Sequence, residues 1–198
     1  MVAASVRGVA SRSASLDPRA EKARGELKAA AWRLTLDRRV ETISVSDIVR
    51  LSGVSRPAFY LHFTDRDDAI VAAVVDRLDE AVDVDAGPQE VIAALMGFVV
   101  DNMECYRNLY PSLASQRCAE VFRSRLRPQC EEIVVSLRSG VNGSGSVSAD
   151  TLTTFLLGGF MEILAAWAAS PGAVPPDEQA STLLAGLTQL AEGRGTRR

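Results

Sequence analysis

The chain has 198 residues, of which 47% are hydrophobic and 24% charged, an ordinary composition for a globular protein of one or two domains. The net charge of −3 is unevenly spread: residues 1–66 hold 12 Lys and Arg against 7 Asp and Glu, a balance of +5, whereas residues 67–198 hold 10 against 18, a balance of −8. A single His and three Cys without zinc spacing argue against a metal site, and no apolar run reaches the roughly 20 residues that span a bilayer.

The first 17 residues are rich in Ser, Ala and Val and show no periodicity, which predicts a disordered arm over 1–17. They contain two arginines but no continuous apolar segment of the kind found in a secretory signal, so we expect a cytoplasmic protein. The positive balance of residues 1–66 favours a partner with phosphates, whereas the negative balance of residues 67–198 does not.

A helical pattern begins at Pro18, a residue suited to a first helical position, with Asp17 as its N-cap. Helix 1 carries an apolar stripe at i, i+3, i+4 and i+7, formed by Leu27, Ala30, Ala31 and Leu34. The stripe predicts that one side of this helix is buried.

Two short helices follow, with a glycine between them. Ser44 and Asp47 have the spacing of a capping box and open helix 2, which Gly53 ends. Ser55 can cap helix 3, in whose first turn Pro57 is tolerated. Helix 4 begins in the segment 64–68, which is acidic as the helix dipole favours, and extends to about Asp83.

Breakers divide the rest of the chain into further helices. One is predicted from Gly87-Pro88 to about Cys105 and another from about Gln116 to Arg138, with a bend near Pro128. A glycine-containing loop, 139–148, precedes two last helices, from about Ala149 to Ser170 and from Pro176 to Glu192. The apolar segment 155–169 predicts a buried helix, and Cys105, Cys118 and Cys130 are predicted to be small buried hydrophobes. No strand pattern is present, so the predicted fold is all-α with about nine helices.

Two short helices joined by a glycine turn behind a longer helix form a helix-turn-helix. The segment 44–48, followed by Gly53-Val54-Ser55-Arg56-Pro57-Ala58-Phe59-Tyr60-Leu61-His62-Phe63, resembles the DNA-binding signature of TetR-family regulators. Residues 27–70 carry the resemblance. The sequence departs from the family pattern at Thr35, where Phe is common, at Arg39, where Gly is usual, and at Ala69, where Leu is usual.

The resemblance implies a sequence-specific, DNA-binding transcription regulator of the repressor type, which a small-molecule effector releases from a pseudo-palindromic operator. It also implies a helix-turn-helix domain over 18–66 and an effector-binding and dimerisation domain over 67–198. The implied DNA-binding residues are Ser44, Ser46, Ser55, Arg56, Pro57, Ala58, Tyr60, His62, Thr64 and Arg66. Arginine pairs bidentately with guanine, so Arg56 is the expected base-contacting residue. Other roles stay open: Ser44 and Ser55 also fit simple caps, His62 fits a packing residue, and Arg66 fits a solvated charge. Arg7 and Arg12 of the arm are candidates for minor-groove contacts.

For the C-terminal part, the resemblance implies a homodimer and a pocket for a small-molecule effector. Apolar residues at helical spacing in the last two helices, such as Phe155, Phe160 and Leu183, suit a dimer interface. The expected pocket residues are Phe98, Asn102, Met103, Tyr106, Tyr110, Phe122, Met161 and Trp167, with Asn102 and Glu162 as polar anchors. The same bulky residues would also suit a plain core.

Three other functions fit less well. The sequence has no nucleophile elbow, Walker, dinucleotide or zinc signature, so we expect neither an enzyme nor a cofactor. A ligand-binding protein without DNA affinity conflicts with the intact segment 55–63. An activator instead of a repressor is equally compatible with the sequence.

Overall fold

The computed structural model describes residues 18–83, 85–139, 147–169 and 174–193, with the side chains of the last helix described to residue 189. Within these ranges the chain forms nine α-helices and no strand, which confirms the all-α prediction. The helices are α1 (Pro18–Asp37), α2 (Val45–Ser52), α3 (Arg56–His62), α4 (Arg66–Ala81), α5 (Pro88–Asp101), α6 (Met103–Leu109), α7 (Leu113–Ser139), α8 (Ala149–Ala169) and α9 (Pro176–Gly193). The predicted arm with Arg7 and Arg12, and residues 140–146 of the predicted loop, lie outside the described residues.

The local signals that delimit α2 and α3 act as predicted. The Ser44 hydroxyl accepts a hydrogen bond from the Asp47 amide at 3.1 Å, and the Asp47 carboxylate accepts one from the Ser44 amide at 3.0 Å. Gly53 ends α2 with φ of 71°, a left-handed conformation that favours glycine. The Ser55 hydroxyl caps α3 by accepting from the Ala58 amide at 3.3 Å. The turn between the two helices is therefore specified by the sequence itself.

The predicted helix from Gly87-Pro88 to Cys105 is wrong in its extent, because the chain breaks it at Asn102. This residue has φ of −115° and ψ of 34°, and its side-chain amide donates to the Phe98 carbonyl at 2.8 Å. A short amide side chain competes in this way with the backbone hydrogen bonds of a helix. As a result α5 ends at Asp101, and α6 begins at Met103 as a separate helix.

Other boundaries differ less. A short 3-10 turn, Val40–Thr42, precedes α2 and was not predicted. Helix α7 begins at Leu113 and continues through Pro128, which is exposed. Helix α4 ends two residues before the predicted Asp83.

Two hydrophobic cores lie one beyond the other along α4. The first joins α1–α4 and includes Cys105, Leu109 and Ala114 from α6 and α7. The second joins α5, α7, α8 and α9 with Leu78 of α4. Ala69, Ile70, Ala73 and Val74 of α4 belong to the first core. Helix α4 thus connects the N-terminal helices with the rest of the described chain.

Helix α6 is joined to α1 by a buried polar contact at Thr35, one of the positions that depart from the family pattern. Thr35 is fully buried, and its hydroxyl donates to the Trp32 carbonyl at 2.7 Å. The Cys105 thiol donates to the Thr35 hydroxyl at 3.5 Å, and the Asn108 amide donates to the Thr35 carbonyl at 2.9 Å. These bonds hold α6 on the C-terminal half of α1.

Helix α8 is buried on one side only, which corrects the prediction of a buried helix over 155–169. Thr153, Leu156, Phe160 and Leu164 are buried, whereas Phe155 is 76% exposed. By length and composition alone α8 would suffice to cross a membrane, and only 22% of its apolar window is buried within the chain. An apolar helix face is therefore left uncovered by the rest of the described chain.

Candidate functional site

Helix α3 packs against the first core through two aromatic side chains and exposes its opposite side. Phe59 is fully buried and Phe63 is 4% exposed, so both face the core. Tyr60 and Leu61 are 50% and 83% exposed, and Arg56 and Pro57 also lie on the surface. A short helix so placed can enter the major groove of DNA with its exposed side.

Arg56 is held in place on this surface by polar contacts with neutral side chains. One terminal nitrogen donates to the Ser46 hydroxyl at 3.0 Å, and the other donates to the Tyr60 hydroxyl at 3.3 Å. The guanidinium also lies 5.7 Å from the centroid of the Tyr60 ring. Among the described residues no carboxylate pairs with Arg56, so its positive charge stays available to a partner. Ser46 and Tyr60 thereby position the predicted base-contacting residue.

The remaining predicted DNA-binding residues surround this point in different ways. Ala58 and His62 are half-buried, and Ala58 packs against the first core. Ser44 and Ser55 use their hydroxyls as helix caps. The amide and hydroxyl of Thr64 both donate to the Asp68 carboxylate, at 2.9 and 3.1 Å. The caps leave each hydroxyl exposed, so capping and a phosphate contact are compatible.

Arg66 has internal partners that the sequence did not reveal. Its guanidinium pairs with Asp67 at 2.7 Å and donates to the Ile43 carbonyl at 3.0 Å. With a side chain only 27% exposed, it ties the start of α4 to the segment before α2. A phosphate contact by Arg66 stays a prediction, and these internal bonds occupy most of its donors.

Leu61 was not among the predicted DNA-binding residues, although its position in the sequence contained the signal. Phe59 and Phe63, spaced i and i+4, define the buried side of α3. A residue two positions after Phe59 lies about 200° around the helix and therefore faces away from the core. Leu61 at 83% exposure is an apolar side chain on the face that meets a partner.

A cavity of about 630 Å³ lies between α4, α5, α6, α7 and α8. Six of the eight predicted pocket residues line it, together with the predicted anchor Glu162: these are Phe98, Asn102, Tyr106, Tyr110, Phe122 and Met161. Met103 and Trp167 are not among its lining residues. Trp167 lies on another side of α8, whose wall is the stripe from Thr154 to Ala165. Met103 is the first residue of α6 and precedes its wall residues, which are Cys105, Tyr106 and Leu109.

Two thiols and one phenol of this cavity, those of Cys105, Cys118 and Tyr106, are uncharged at neutral pH. Burial raises the pKa of the Cys105 thiol to about 11 and that of Cys118 to about 12, and it also raises the pKa of Tyr106. Cys105 and Cys130 are buried and Cys118 is half-buried, broadly as predicted for small hydrophobes. No group of three or more potential metal ligands occurs in the described part of the chain.

The cavity adjoins the contact between α6 and α1. Cys105 lines the cavity and also bonds Thr35 of α1. A second cleft, of about 510 Å³, shares Phe98 and Asn102 with the cavity and reaches Trp32 of α1. A molecule in the cavity would therefore contact residues that directly touch the N-terminal helices.

Comparison with known proteins identifies the N-terminal part. Residues 27–73 match the model of the bacterial regulatory proteins of the tetR family. This match extends from α1 into α4 and includes the whole of α2, the Gly53 turn and α3. No curated protein sequence matches the chain.

Two solved structures resemble the chain over nearly its whole length. One is a candidate transcriptional regulator from Pseudomonas aeruginosa PAO1, with a TM-score of 0.61 and 16% identity over 92% of this chain and 95% of that one. The other is the dihydroxyacetone kinase operon activator DhaS, with a TM-score of 0.53 and 15% identity over 87% of this chain and 95% of that one. At these identities the two structures show that the fold is shared.

Proposed function

From the match of residues 27–73 to the tetR family of bacterial regulatory proteins, we propose that the chain is a DNA-binding transcription regulator of that family. From this premise we propose that it is a cytoplasmic repressor without enzymatic activity. Two copies bind a pseudo-palindromic operator, and a small molecule in the cavity releases them. Residues 18–66 supply the DNA-binding domain, and residues 67–198 supply the effector and dimerisation domain.

The observation that supports DNA binding most strongly is the arrangement around Arg56. Ser46 and Tyr60 orient the guanidinium on the exposed side of α3, and no described carboxylate neutralises it. A pre-positioned guanidinium can form two parallel hydrogen bonds with the edge of a guanine at little entropic cost. Arg56 therefore contacts a base, while Pro57, Ala58 and Leu61 offer apolar contacts to thymine methyl groups.

Phosphate contacts surround this base-contacting residue. Ser44, Ser46, Ser55 and Thr64 lie at the starts of α2, α3 and α4, where amide groups and hydroxyls favour anions. Tyr60 and His62 add contacts from α3 itself. Phosphate contacts fix the protein on the duplex without specifying its sequence.

The uncovered face of α8 supports a homodimer. Phe155 on α8 is 76% exposed and Leu183 on α9 is 39% exposed. A Cβ built on Gly158 or Gly159 meets no atom within 4 Å, so this part of α8 leaves room for a close approach by another helix. A twofold dimer through α8 and α9 would present two copies of α3 to the two halves of an inverted repeat.

The position of the cavity supports release by a ligand. Its α6 wall contacts α1 through Cys105 and Thr35, and its α4 wall continues into the first core. A ligand that fits better when the two α3 helices are spaced away from the operator geometry shifts the dimer off DNA. A coupling of ~1–3 kcal/mol would change operator affinity roughly 5- to 150-fold.

Selection of bound fragments from genomic DNA at physiological salt tests the proposal. An inverted repeat enriched by the wild-type protein and not by the Arg56→Ala variant would support it. Binding that is weak, equal on all sequences and abolished by modest salt would contradict sequence-specific regulation. Transcription in vitro from the enriched promoter then separates a repressor, which lowers the transcript level, from an activator, which raises it.

A further inference from the structure

The charged residues of the cavity lie only at its exposed edges. Among the described lining residues, Arg123 on α7 and Glu162 on α8 are the Arg, Lys, Asp or Glu side chains, and both are exposed to solvent. The rest of the lining is apolar or neutral. A charged ligand would lose its hydration in this interior without gaining a buried counter-ion.

The protonation of the cavity's own groups indicates the same environment. Burial raises the pKa values of Cys105, Cys118 and Tyr106, so the interior disfavours charge on each of them. The two thiols stay protonated and are therefore poor nucleophiles, which argues against a reactive electrophile as the ligand.

One polar position inside the cavity has hydrogen-bonding capacity to spare. The Tyr106 hydroxyl has no hydrogen-bond partner in the part of the chain that the structure describes, and it is a donor because it stays protonated. Asn102, one helical turn earlier, uses its amide group on the Phe98 carbonyl and keeps its side-chain oxygen as an acceptor. The rings of Tyr106 and Tyr110 are parallel within 4°, with centroids 6.2 Å apart, and give this end of the cavity a flat aromatic surface.

From this geometry we infer that the ligand of the cavity is a neutral, largely apolar molecule with a planar ring and one carbonyl-type acceptor, which receives the Tyr106 hydroxyl. The inference rests on the proposed effector role of the cavity and narrows the effector to a chemical class. The volume of the cavity agrees with a ligand of this class, since about 630 Å³ falls within the range of sites for drug-sized molecules.

A matched pair of fluorescent probes tests the charge of the ligand. N-phenyl-1-naphthylamine is neutral, and 1-anilinonaphthalene-8-sulfonate is the same skeleton with a sulfonate. We expect the neutral probe to bind the free dimer at least about tenfold more tightly. Met161→Trp, which fills the cavity, should abolish this binding, whereas Glu132→Trp, on the exposed side of α7, should not. Equal or tighter binding of the sulfonate, or neutral-probe binding that survives Met161→Trp, would overturn the inference.

A neutral ketone probe tests the polar contact. The dye 6-propionyl-2-dimethylaminonaphthalene has a carbonyl whose emission shifts to the blue when a hydrogen bond to it is lost. Tyr106→Phe should weaken its binding about fivefold and shift the emission to the blue. Ser124→Ala is the control, because the exposed Ser124 hydroxyl lies outside the cavity and donates to the Val121 carbonyl. An unchanged affinity and spectrum in Tyr106→Phe would contradict the assigned donor.

Probe binding to the free protein and operator affinity are measured separately, so that the two proposals can fail independently. Selective binding of the neutral probe with no change in operator affinity supports the ligand class and contradicts the effector role. Release of operator DNA at a lower concentration of the sulfonate than of the neutral probe supports the effector role and overturns the ligand class.

Discussion

At the scale of single residues, the surface of α3 combines an unneutralised guanidinium with an exposed apolar side chain. Leu61 has the highest exposure of the large hydrophobic side chains in the described chain. Leu61 lies on the same helix as Arg56 and directly follows Tyr60, whose hydroxyl positions Arg56. Burial of such a side chain against a partner stabilises the complex. Its truncation leaves the fold intact, because the side chain is not part of the core.

The Leu61→Ala variant should therefore bind the operator more weakly without losing stability. Loss of the apolar contact is expected to cost about 1 kcal/mol, roughly a fivefold rise in Kd. The melting temperature should stay the same, since an exposed side chain contributes little to folding. Titration of operator DNA and thermal melting of both proteins check this. An unchanged Kd would place Leu61 outside the interface.

Asp47 joins the capping box of α2 to two arginines. Its carboxylate accepts from the Ser44 amide and hydroxyl and pairs with Arg38 at 3.3 Å and Arg50 at 2.7 Å. Hydrogen bonds from Ser44, and the charges of Arg38 and Arg50, lower the pKa of this carboxyl below its ordinary value of 3.8. A lowered folded pKa adds stability above the ordinary pKa, and that stability is lost as the pH falls through the folded value.

We expect Asp47→Ala to lower the melting temperature between about pH 5 and pH 7 and to lower it progressively less as the pH falls below about 4. Asp47→Asn keeps a hydrogen-bond acceptor but loses the charge. Its melting temperature should lie between those of Asp47→Ala and the wild type. Thermal melting of the three proteins across this pH range measures the effect. A difference from the wild type that does not change with pH would show that the charge of Asp47 has no part in stability.

Much of this residue-scale detail was accessible from the sequence. The caps at Ser44 and Ser55, the turn at Gly53 and the burial of Phe59 and Phe63 follow from local rules, and the structure has them. The contacts of Arg66 with Asp67 and the Ile43 carbonyl were not accessible, because they depend on how α4 lies against a segment 23 residues earlier.

At the scale of elements, the Gly53 turn sets the angle between α2 and α3. Gly53 has φ of 71°, and a Cβ there would meet no atom within 4 Å. A side chain would thus cost only the backbone strain of the left-handed conformation, about 1 kcal/mol. Gly53→Ala should lower the melting temperature by ~2–4 °C and weaken operator binding. Asn tolerates this conformation, so Gly53→Asn should lower the melting temperature and the operator affinity less than Gly53→Ala does. Equal losses in the two variants would show that backbone strain is not the cause.

The contact of α6 with α1 is one of the features that connect the cavity to the DNA-binding helices. The Asn108 amide donates to the carbonyl of the fully buried Thr35 at 2.9 Å. Asn108→Ala should cost about 1 kcal/mol of stability, since it removes one partner of a buried hydrogen bond. It should also reduce the change in operator affinity that a cavity ligand produces.

The measurement for this variant is the ratio of operator Kd with and without a saturating ligand. Arg107→Ala, on the exposed side of the same helix, is the control, because its side chain pairs only with Glu104 among the described residues. An Asn108→Ala ratio equal to that of the wild type would mean that the coupling does not pass through α6.

The division between α5 and α6 shows why elements were only partly predictable. No Pro or Gly separates the two helices, so periodicity alone indicated one long helix. The break follows from Asn102, whose side chain bonds the Phe98 carbonyl and whose backbone leaves the helical region. Helices α8 and α9, which are bounded by Pro and Gly-rich segments, were predicted to within one residue.

At the scale of the whole molecule, α8 and α9 have apolar side chains that the rest of the described chain leaves uncovered. Phe155→Glu should dissociate the proposed dimer and weaken operator binding at least about 100-fold, because only the dimer contacts both half-sites at once. Sedimentation velocity measures the mass. Leu36→Glu on α1, an apolar residue 41% exposed, is the matched control and should stay dimeric. A dimeric Phe155→Glu variant would place the interface elsewhere.

The cavity is a property of the whole molecule that the sequence could only suggest. Six predicted residues line it because helical periodicity and the family resemblance both placed bulky side chains in this region. Trp167 does not line it, because tertiary packing sets the rotation of α8 about its axis, and Met103 at the start of α6 does not line it either. Tertiary packing also determines which side chains line the cavity. The neutral lining, on which the inference about the ligand depends, could therefore not be predicted from the sequence.

The most direct test of the central claim, that two copies of α3 contact an inverted repeat through Arg56, is operator affinity measured on three duplexes. These are the selected operator, the operator with one half-site scrambled, and a fully scrambled duplex, each titrated with wild type and Arg56→Ala at physiological salt. We expect that scrambling one half-site weakens wild-type binding by about 100-fold or more, and that Arg56→Ala binds all three duplexes with similar low affinity. Equal wild-type affinity for the three duplexes, or an Arg56→Ala variant that still distinguishes them as the wild type does, would contradict it.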